Sequence, residues 1–228
     1  IDADPLLVRA GSMYHDAGKA LNPSFFIENQ VNGSINLHED ISPKESAASI
    51  IQHVNDGVML VEKYRLPEVI KDFVREHHGT NVARYQYTEA VNQEGEEAID
   101  INDFTYPGPK PQTKETALVM LADSCEARAR GDRPKNDEEI EALVKSVFDY
   151  YSSSGQLDDA PLTLRDLKKI RESFVRVLRN SYHPRVKYPE QKKESKNKTA
   201  SVVKNNRENR NGETAEFESA EANIQRNK

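Results

Sequence analysis

The stretch "YHDAGK", residues 14–19, places a histidine directly before an aspartate, just ahead of a small, turn-prone run. Apolar residues recur at helical spacing from Pro5 to Tyr14, so the pair comes where a first helix should end. An imidazole beside a carboxylate is either a surface accident or half of a metal site. The remainder of the chain has to decide between these two interpretations.

The apolar spacing beyond this stretch is helical almost everywhere. "SPKE", residues 42–45, has the form of a capping box, and it predicts a second helix that runs to about Arg65. Further helices are predicted over residues 67–78, about 113–130, about 137–151 and from 163 to the "YHPR" stretch. Strand-like alternation is scarce, and its nearest example is residues 83–91, within a long connection from Gly79 to Gln112. The sequence therefore predicts an all-α helical bundle.

The composition predicts one folded domain and a polar tail. The 228 residues are 36% hydrophobic, which is enough for one substantial core. From residue 189 onward, large apolar side chains become rare among many charged and polar ones, so burial cannot offset the entropy of ordering this segment. We therefore predict a domain over residues 1–188 and a disordered charged tail over residues 189–228.

The charge balance argues against a nucleic-acid polymer as partner. The 32 Lys and Arg residues against 38 Asp and Glu residues give a net charge of -6, so a polyanionic substrate would need local help such as metal ions. The single Cys125 excludes an internal disulfide and is consistent with a reducing cytosol. The sequence predicts no signal peptide within it, and no apolar run approaches the roughly 18 to 20 residues that span a bilayer.

Histidines cluster at the predicted helix ends. His15 and Asp16 close the first helix, His53 lies midway along the second, and His77 and His78 close the third. Any one of them alone would be a surface or satisfied core residue, but antiparallel packing of short helices could bring them together.

A carboxylate joins this group of histidines. Asp123 interrupts an apolar face of the helix predicted near residues 113–130, where it would be costly to bury unless paired or bound to a metal. Four imidazoles and two carboxylates suit a divalent ion such as Mn, Fe, Co, Ni or Zn, but they are too many for one tetrahedral ion. We therefore predict two ions bridged by Asp16.

These residues carry a resemblance to a known family. "YHDAGK" resembles the signature of the HD-domain metal-dependent phosphohydrolases. Over roughly residues 1–189, the chain resembles more closely the cytoplasmic HD domain of the bacterial seven-transmembrane-receptor HD hydrolases, whose members are cyclic di-AMP phosphodiesterases. The blocks that carry this resemblance are "NPSFFIENQ", "HEDISPKESAASIIQHVNDG", "LPEVIKDFVREHHGT", "YPGPKPQTKETALVMLADSCEARAR" and "LTLRDLKKIRESFVRVLRNSYHPRVKYP". The resemblance implies an HD-domain fold.

The resemblance also implies a ligand set. Asp16 would bridge the two metals, with the remaining ligands being His15 and Asp123 on the first metal and His53, His77 and His78 on the second. The family uses one more histidine, a helix upstream of the pair, which this sequence lacks. Because the chain starts within a helical pattern and without Met, we attribute the absence to truncation and expect the fragment to bind its first metal poorly.

The implied activity is hydrolysis of cyclic di-AMP to linear pApA by a hydroxide activated between two divalent ions, Mn²⁺ or Fe²⁺. Asp16 would set the metal spacing. Lys19 would donate to a non-bridging phosphate oxygen, with a solvated surface lysine as the alternative. Tyr106, Lys110 and Gln112 in the "YPGPKPQ" loop are candidates for holding the nucleotide, against a loop that only packs.

Other functions stay open at this point. An alarmone or a nucleoside phosphate could be the substrate, whereas cyclic di-GMP is disfavoured because no Gly-Tyr-Pro signature follows "HHG". A non-catalytic nucleotide-sensing module is a further alternative. The resemblance places the chain as the cytoplasmic domain of a bacterial membrane protein, and a homodimer is left open. We assign no metal to His38 in its polar loop or to His183 at a helix end.

Overall fold

The computed structural model describes residues 1–26, 29, 38 and 40–182. Within these residues it contains seven α-helices and no strand beyond one isolated bridge, which confirms the all-α prediction. The helices are α1 (Pro5–Tyr14), α2 (Pro43–Lys63), α3 (Glu68–Glu76), α4 (Arg84–Glu94), α5 (Lys114–Asp132), α6 (Asp137–Ser153) and α7 (Leu164–Tyr182). Short 3₁₀ helices lie at Ala17–Leu21, Pro23–Phe25, Glu96–Ala98 and Ile101–Phe104. His183, the predicted tail and residues 27, 28 and 30 of "NPSFFIENQ" lie outside the described residues.

Side-chain caps mark where α2 and α7 begin. At α2, the Ser42 hydroxyl accepts from the Glu45 amide while the Glu45 carboxylate accepts from the Ser42 amide, so the predicted capping box is confirmed. Thr163 and Asp166 make the same reciprocal pair at the start of α7. These local bonds satisfy amide groups that have no partner inside the helix.

The strand-like stretch at residues 83–91 is helical, and the long connection that we predicted contains α4. Its alternating tyrosines do not share one environment, because Tyr85 is exposed whereas Tyr87 packs against Phe104. The inward positions are Ala83, Tyr87 and Ala90, which follow the helical spacing of four and then three residues. A short apolar run can satisfy both periods, and packing beside α2 selects the helix.

The core of the described residues consists of three hydrophobic clusters. One cluster joins α5, α6 and α7 around Met120, Leu121 and Phe148. Another joins α2 and α4 to the segment at residues 104–106, and α3 packs onto α2 through Val74 and Val61. No helix in the described part of the chain combines the length and the apolar character that crossing a bilayer requires.

Candidate metal centre

Five elements bring the predicted ligands together. His15 caps the C-terminal end of α1, and Asp16 follows it at the start of the 3₁₀ helix Ala17–Leu21. His53 lies in the middle of α2, and His77 is the C-cap of α3 with His78 next to it. The fifth helix, α5, supplies the last ligand, Asp123.

The ligand atoms fall into two groups that share one carboxylate. Asp16 lies with His53, His77 and His78, and their ligand atoms are all within 4.8 Å of one another. Asp16 also lies with His15 and Asp123 at the same mutual spacing. The six residues divide as the family resemblance implied, and the ion that each would bind stays a prediction.

Glycines allow Asp16 to approach α2. A Cβ atom on Gly18 would lie 1.9 Å from the carbonyl oxygen of His53 and 2.5 Å from the amide of Gly57. These contacts are with backbone atoms, which cannot swing aside. The absence of a side chain at Gly18 therefore lets the segment after α1 pack directly on α2 and carry Asp16 to His53.

Three imidazoles are oriented in the same way. The Nδ1 atom of each lies within hydrogen-bond distance of the carbonyl three residues earlier in its own helix: His15 to Ser12 at 3.0 Å, His53 to Ile50 at 2.6 Å and His77 to Val74 at 2.8 Å. An Nδ1–H donor to a carbonyl leaves Nε2 without a proton in a neutral ring. Each ring therefore turns its Nε2 atom toward the centre.

The converging atoms fit a cation. The Nε2 atoms of His53 and His77 are 3.2 Å apart, and both lie close to Asp16 Oδ1, at 3.3 and 3.5 Å. With Nδ1 carrying the proton on both rings, two lone pairs would face each other, which is unfavourable without a positive charge between them. His15 Nε2 and Asp16 Oδ1 are also buried without a hydrogen-bond partner among the described residues. Imidazole and carboxylate donors in this arrangement fit a divalent transition metal.

The charge states at the centre differ between residues. Burial lowers the pKa of His77 and, more strongly, that of His78, so both rings are neutral at pH 7. Burial also lowers the pKa of His15, but the carboxylates of Asp123 and Asp16 outweigh it and raise the pKa to about 10. Burial would raise the pKa of Asp16, yet the surrounding histidines hold it far below its usual range. Without a metal, His15 is therefore the proton-carrying ligand beside an ionised Asp16.

Lys19 stands next to the bridging carboxylate. Its Nζ atom is 2.9 Å from Asp16 Oδ2 and 5.1 Å from the centre of the Phe26 ring. The side chain is partly buried, with 23% of its area exposed. A lysine held in this way brings a positive charge to the edge of the centre.

The "YPGPKPQ" loop meets the centre through Tyr106. Its ring stacks on His78, with ring centres 4.2 Å apart. Gln112 instead donates its amide to Glu76 and its side chain to Asp159, and no contact of the described residues brings Gln112 or Lys110 to the six ligands. Nucleotide binding by these three residues stays a prediction.

Sequence reasoning missed several supporting residues. Glu76 is a buried carboxylate directly before His77, and burial raises its pKa although the Gln112 amide donates to it. Its signal was an acidic residue on an apolar helix face. The hydrogen bond between Ser124 and Tyr151, beside Asp123, had no such signal because it joins two helices.

A helical bundle with two adjoining histidine and aspartate groups defines a domain built around a divalent-metal centre. The chain belongs to the HD domain family, whose model matches residues 1–128.

Similar proteins and a similar structure show which members of this family the chain resembles. The cyclic-di-AMP phosphodiesterase PgpH of Bacillus subtilis (strain 168) is 38% identical over 196 residues, which are 86% of this chain and 27% of the relative. PgpH of Listeria monocytogenes serotype 1/2a (strain 10403S) is 37% identical over 194 residues, 84% of this chain and 26% of the relative. The chain thus spans about a quarter of the length of these curated relatives. The crystal structure of the L. monocytogenes PgpH HD domain in complex with cyclic di-AMP matches with a TM-score of 0.75 and 34% identity, covering 82% of this chain and 84% of that one.

Proposed function

We propose that the chain is the catalytic part of a metal-dependent phosphodiesterase that hydrolyses cyclic di-AMP to pApA. The observation that carries the proposal is the pair of ligand groups that meet at Asp16. The likeness to an HD domain solved with cyclic di-AMP supports the substrate.

The ligand set supports two divalent ions, with Mn²⁺ or Fe²⁺ as our choice. Bound ions would neutralise phosphate charge and lower the pKa of a water so that it can attack at neutral pH. Asp16 holds the two positions at a fixed spacing because its two carboxylate oxygens face different groups. The group of His15, Asp16 and Asp123 offers three residues, so it leaves more positions open to water and phosphate than the four-residue group.

Lys19 adds a positive charge from the protein to the charge that the metal ions would supply. The cyclic dinucleotide carries two phosphodiester anions, and the ammonium group beside Asp16 can donate to a non-bridging oxygen of the one being cleaved. The charge on the phosphoryl oxygens is redistributed during cleavage. An ammonium group fixed at this point therefore stabilises the transition state more than the bound substrate.

The decisive experiment compares hydrolysis of cyclic di-AMP, cyclic di-GMP and pApA by the chain with added Mn²⁺ or, without oxygen, Fe²⁺. A second form, extended upstream of Ile1, tests whether an additional histidine strengthens the three-residue group. Asp16→Asn should lower the rate by at least about 100-fold, because both groups lose their shared carboxylate. Asp149→Asn, at an exposed aspartate of α6, is the matched control and should keep the rate.

Selective, metal-dependent release of pApA that Asp16→Asn abolishes would support the proposal. Failure of both forms to cleave any dinucleotide while metal is bound would defeat it, and would favour another phosphorylated substrate or a sensing module. Cytoplasmic placement at a bacterial membrane remains a prediction from the resemblance, and a homodimer stays open. No part of this experiment depends on either.

A further inference from the structure

His78 differs from the other three histidines of the centre. The rings of His15, His53 and His77 are each fixed by a carbonyl of their own helix. Among the described residues, no comparable hydrogen bond to the His78 ring is formed, and its close contacts are with other rings. An imidazole without such a bond would turn about its side-chain bonds and lose part of its affinity for a metal.

The contact that replaces the hydrogen bond is a stack. The Tyr106 ring lies 4.2 Å from the His78 ring at an angle of 26°. The neighbouring His77 and His53 rings approach His78 at 44° and 87°, so neither lies flat against it. A flat contact with a larger ring restricts rotation of the imidazole, and such ring pairs are favourable beyond the area they bury.

The backbone holds Tyr106 in place for this contact. The Tyr106 amide donates to the Asn81 carbonyl at 2.8 Å, and the Ala83 amide donates to the Phe104 carbonyl at 2.7 Å. These bonds flank an antiparallel bridge between Val82 and Thr105. The segment just after His78 is therefore paired with the segment that ends at Tyr106, whose side chain is only 8% exposed.

We propose that the Tyr106 ring is the positioning residue that orients His78 for a divalent metal. The inference rests on the proposed metal centre and adds to it a role for the aromatic face, not for the hydroxyl. It gives the "YPGPKPQ" loop a function in building the four-residue group.

The test is a Co²⁺ titration followed by visible absorption, which reports ligand geometry and needs no turnover. All variants are made with Asp123→Asn, so that the four-residue group is measured alone. Tyr106→Leu removes the aromatic face, and Tyr106→Phe keeps it without the hydroxyl. Tyr87→Leu is the matched control, because Tyr87 packs on Phe104 in the same cluster without touching a ligand.

We expect Tyr106→Leu to weaken Co²⁺ binding about 10-fold or more and to change the absorption spectrum. Tyr106→Phe and Tyr87→Leu should bind as the parent does. Equal affinity in Tyr106→Leu, or equal weakening in Tyr106→Phe, would overturn the proposal. If Tyr106→Leu is unfolded by circular dichroism, Tyr106→Met replaces it under the same criteria. A chain that binds Co²⁺ but does not cleave cyclic di-AMP would defeat the proposed activity and leave this inference standing.

Discussion

At the scale of single residues, we expect Lys19 to contribute to the catalytic step and little to substrate binding. Its ammonium group is 2.9 Å from Asp16, where the reacting phosphate would be neutralised. We expect Lys19→Gln to lower kcat by about 100-fold while KM changes little, because the contact strengthens in the transition state. Steady-state kinetics on cyclic di-AMP measures this.

The control for Lys19 is Lys145→Gln, which changes an exposed lysine of α6 paired with Asp149. It should leave both constants unchanged. A Lys19→Gln variant with normal kcat would show that this lysine is a solvated residue at the edge of the centre with no role in catalysis.

His15 makes the stability of the metal-free protein depend on pH. Its folded pKa of about 10 lies above the ordinary value of 6.5, so its contribution is complete below pH 6.5 and is lost as the pH rises toward 10. Asp16 stays ionised over this window because its pKa is lowered. Urea unfolding of the metal-free chain should therefore show a larger loss of unfolding free energy between pH 6.5 and 9.5 than His15→Gln shows. Equal losses in the two proteins would contradict the assignment of this proton to His15.

At the scale of elements, the close approach between the Ala17–Leu21 helix and α2 depends on Gly18. A methyl group there meets the backbone of His53 at 1.9 Å, so Gly18→Ala must separate the two elements. We expect a loss of about 3 kcal/mol or more in the free energy of unfolding, together with weaker metal binding. Denaturant melts with and without Mn²⁺ measure both effects.

Gly131 provides the comparison. It lies in α5, and a Cβ atom there would have no neighbour within 4 Å. Gly131→Ala should be neutral or stabilising by up to about 1 kcal/mol, since alanine is the better helix former. A loss in Gly131→Ala as large as that in Gly18→Ala would show that the steric argument is wrong.

The elements also show which features a sequence can predict. Capping boxes such as Ser42 with Glu45 are local, and the helix starts were predicted from them. The stretch at residues 83–91 is predicted to lie in a long connection, but it is helical. Its apolar spacing fits two periods until α2 packs against it.

The candidate site divides along the same line. The six predicted ligands come from residue type and from the family resemblance, and the structure brings them together. The stack of Tyr106 on His78 and the bond from Gln112 to Glu76 were not predicted. Both depend on chain segments that meet only after folding, and no local pattern records such a meeting.

At the scale of the whole molecule, a bound metal would add a direct link between elements that contribute to more than one hydrophobic cluster. The predicted ligands come from α1, the Ala17–Leu21 helix, α2, α3 and α5. Apolar residues of α1, α2 and α3 share one cluster, whereas those of α5 lie in another. An ion that binds only the folded chain stabilises it by about 2.7 kcal/mol at 100 times its Kd. We expect saturating Mn²⁺ to raise Tm by about 5 to 10 °C.

Differential scanning calorimetry with Mn²⁺ and then with excess chelator checks this shift. Asp16→Asn should lose most of it, since both groups need that carboxylate. A full Mn²⁺ shift in Asp16→Asn would place the ion elsewhere on the chain.

The bonds from three imidazoles to carbonyls three residues earlier have a consequence for how such a centre can evolve. Each bond is made within one helical turn, so the imidazole keeps its orientation relative to its own helix when the helix moves. Substitutions that shift a helix by a few tenths of an ångström alter the distances between ligands but not the direction of each lone pair. The sequence of the bundle can therefore change, and loops can be lost or gained, while each of these three imidazoles keeps its orientation toward a metal. His78 is the exception, because its orientation depends on a tyrosine from another segment of the chain.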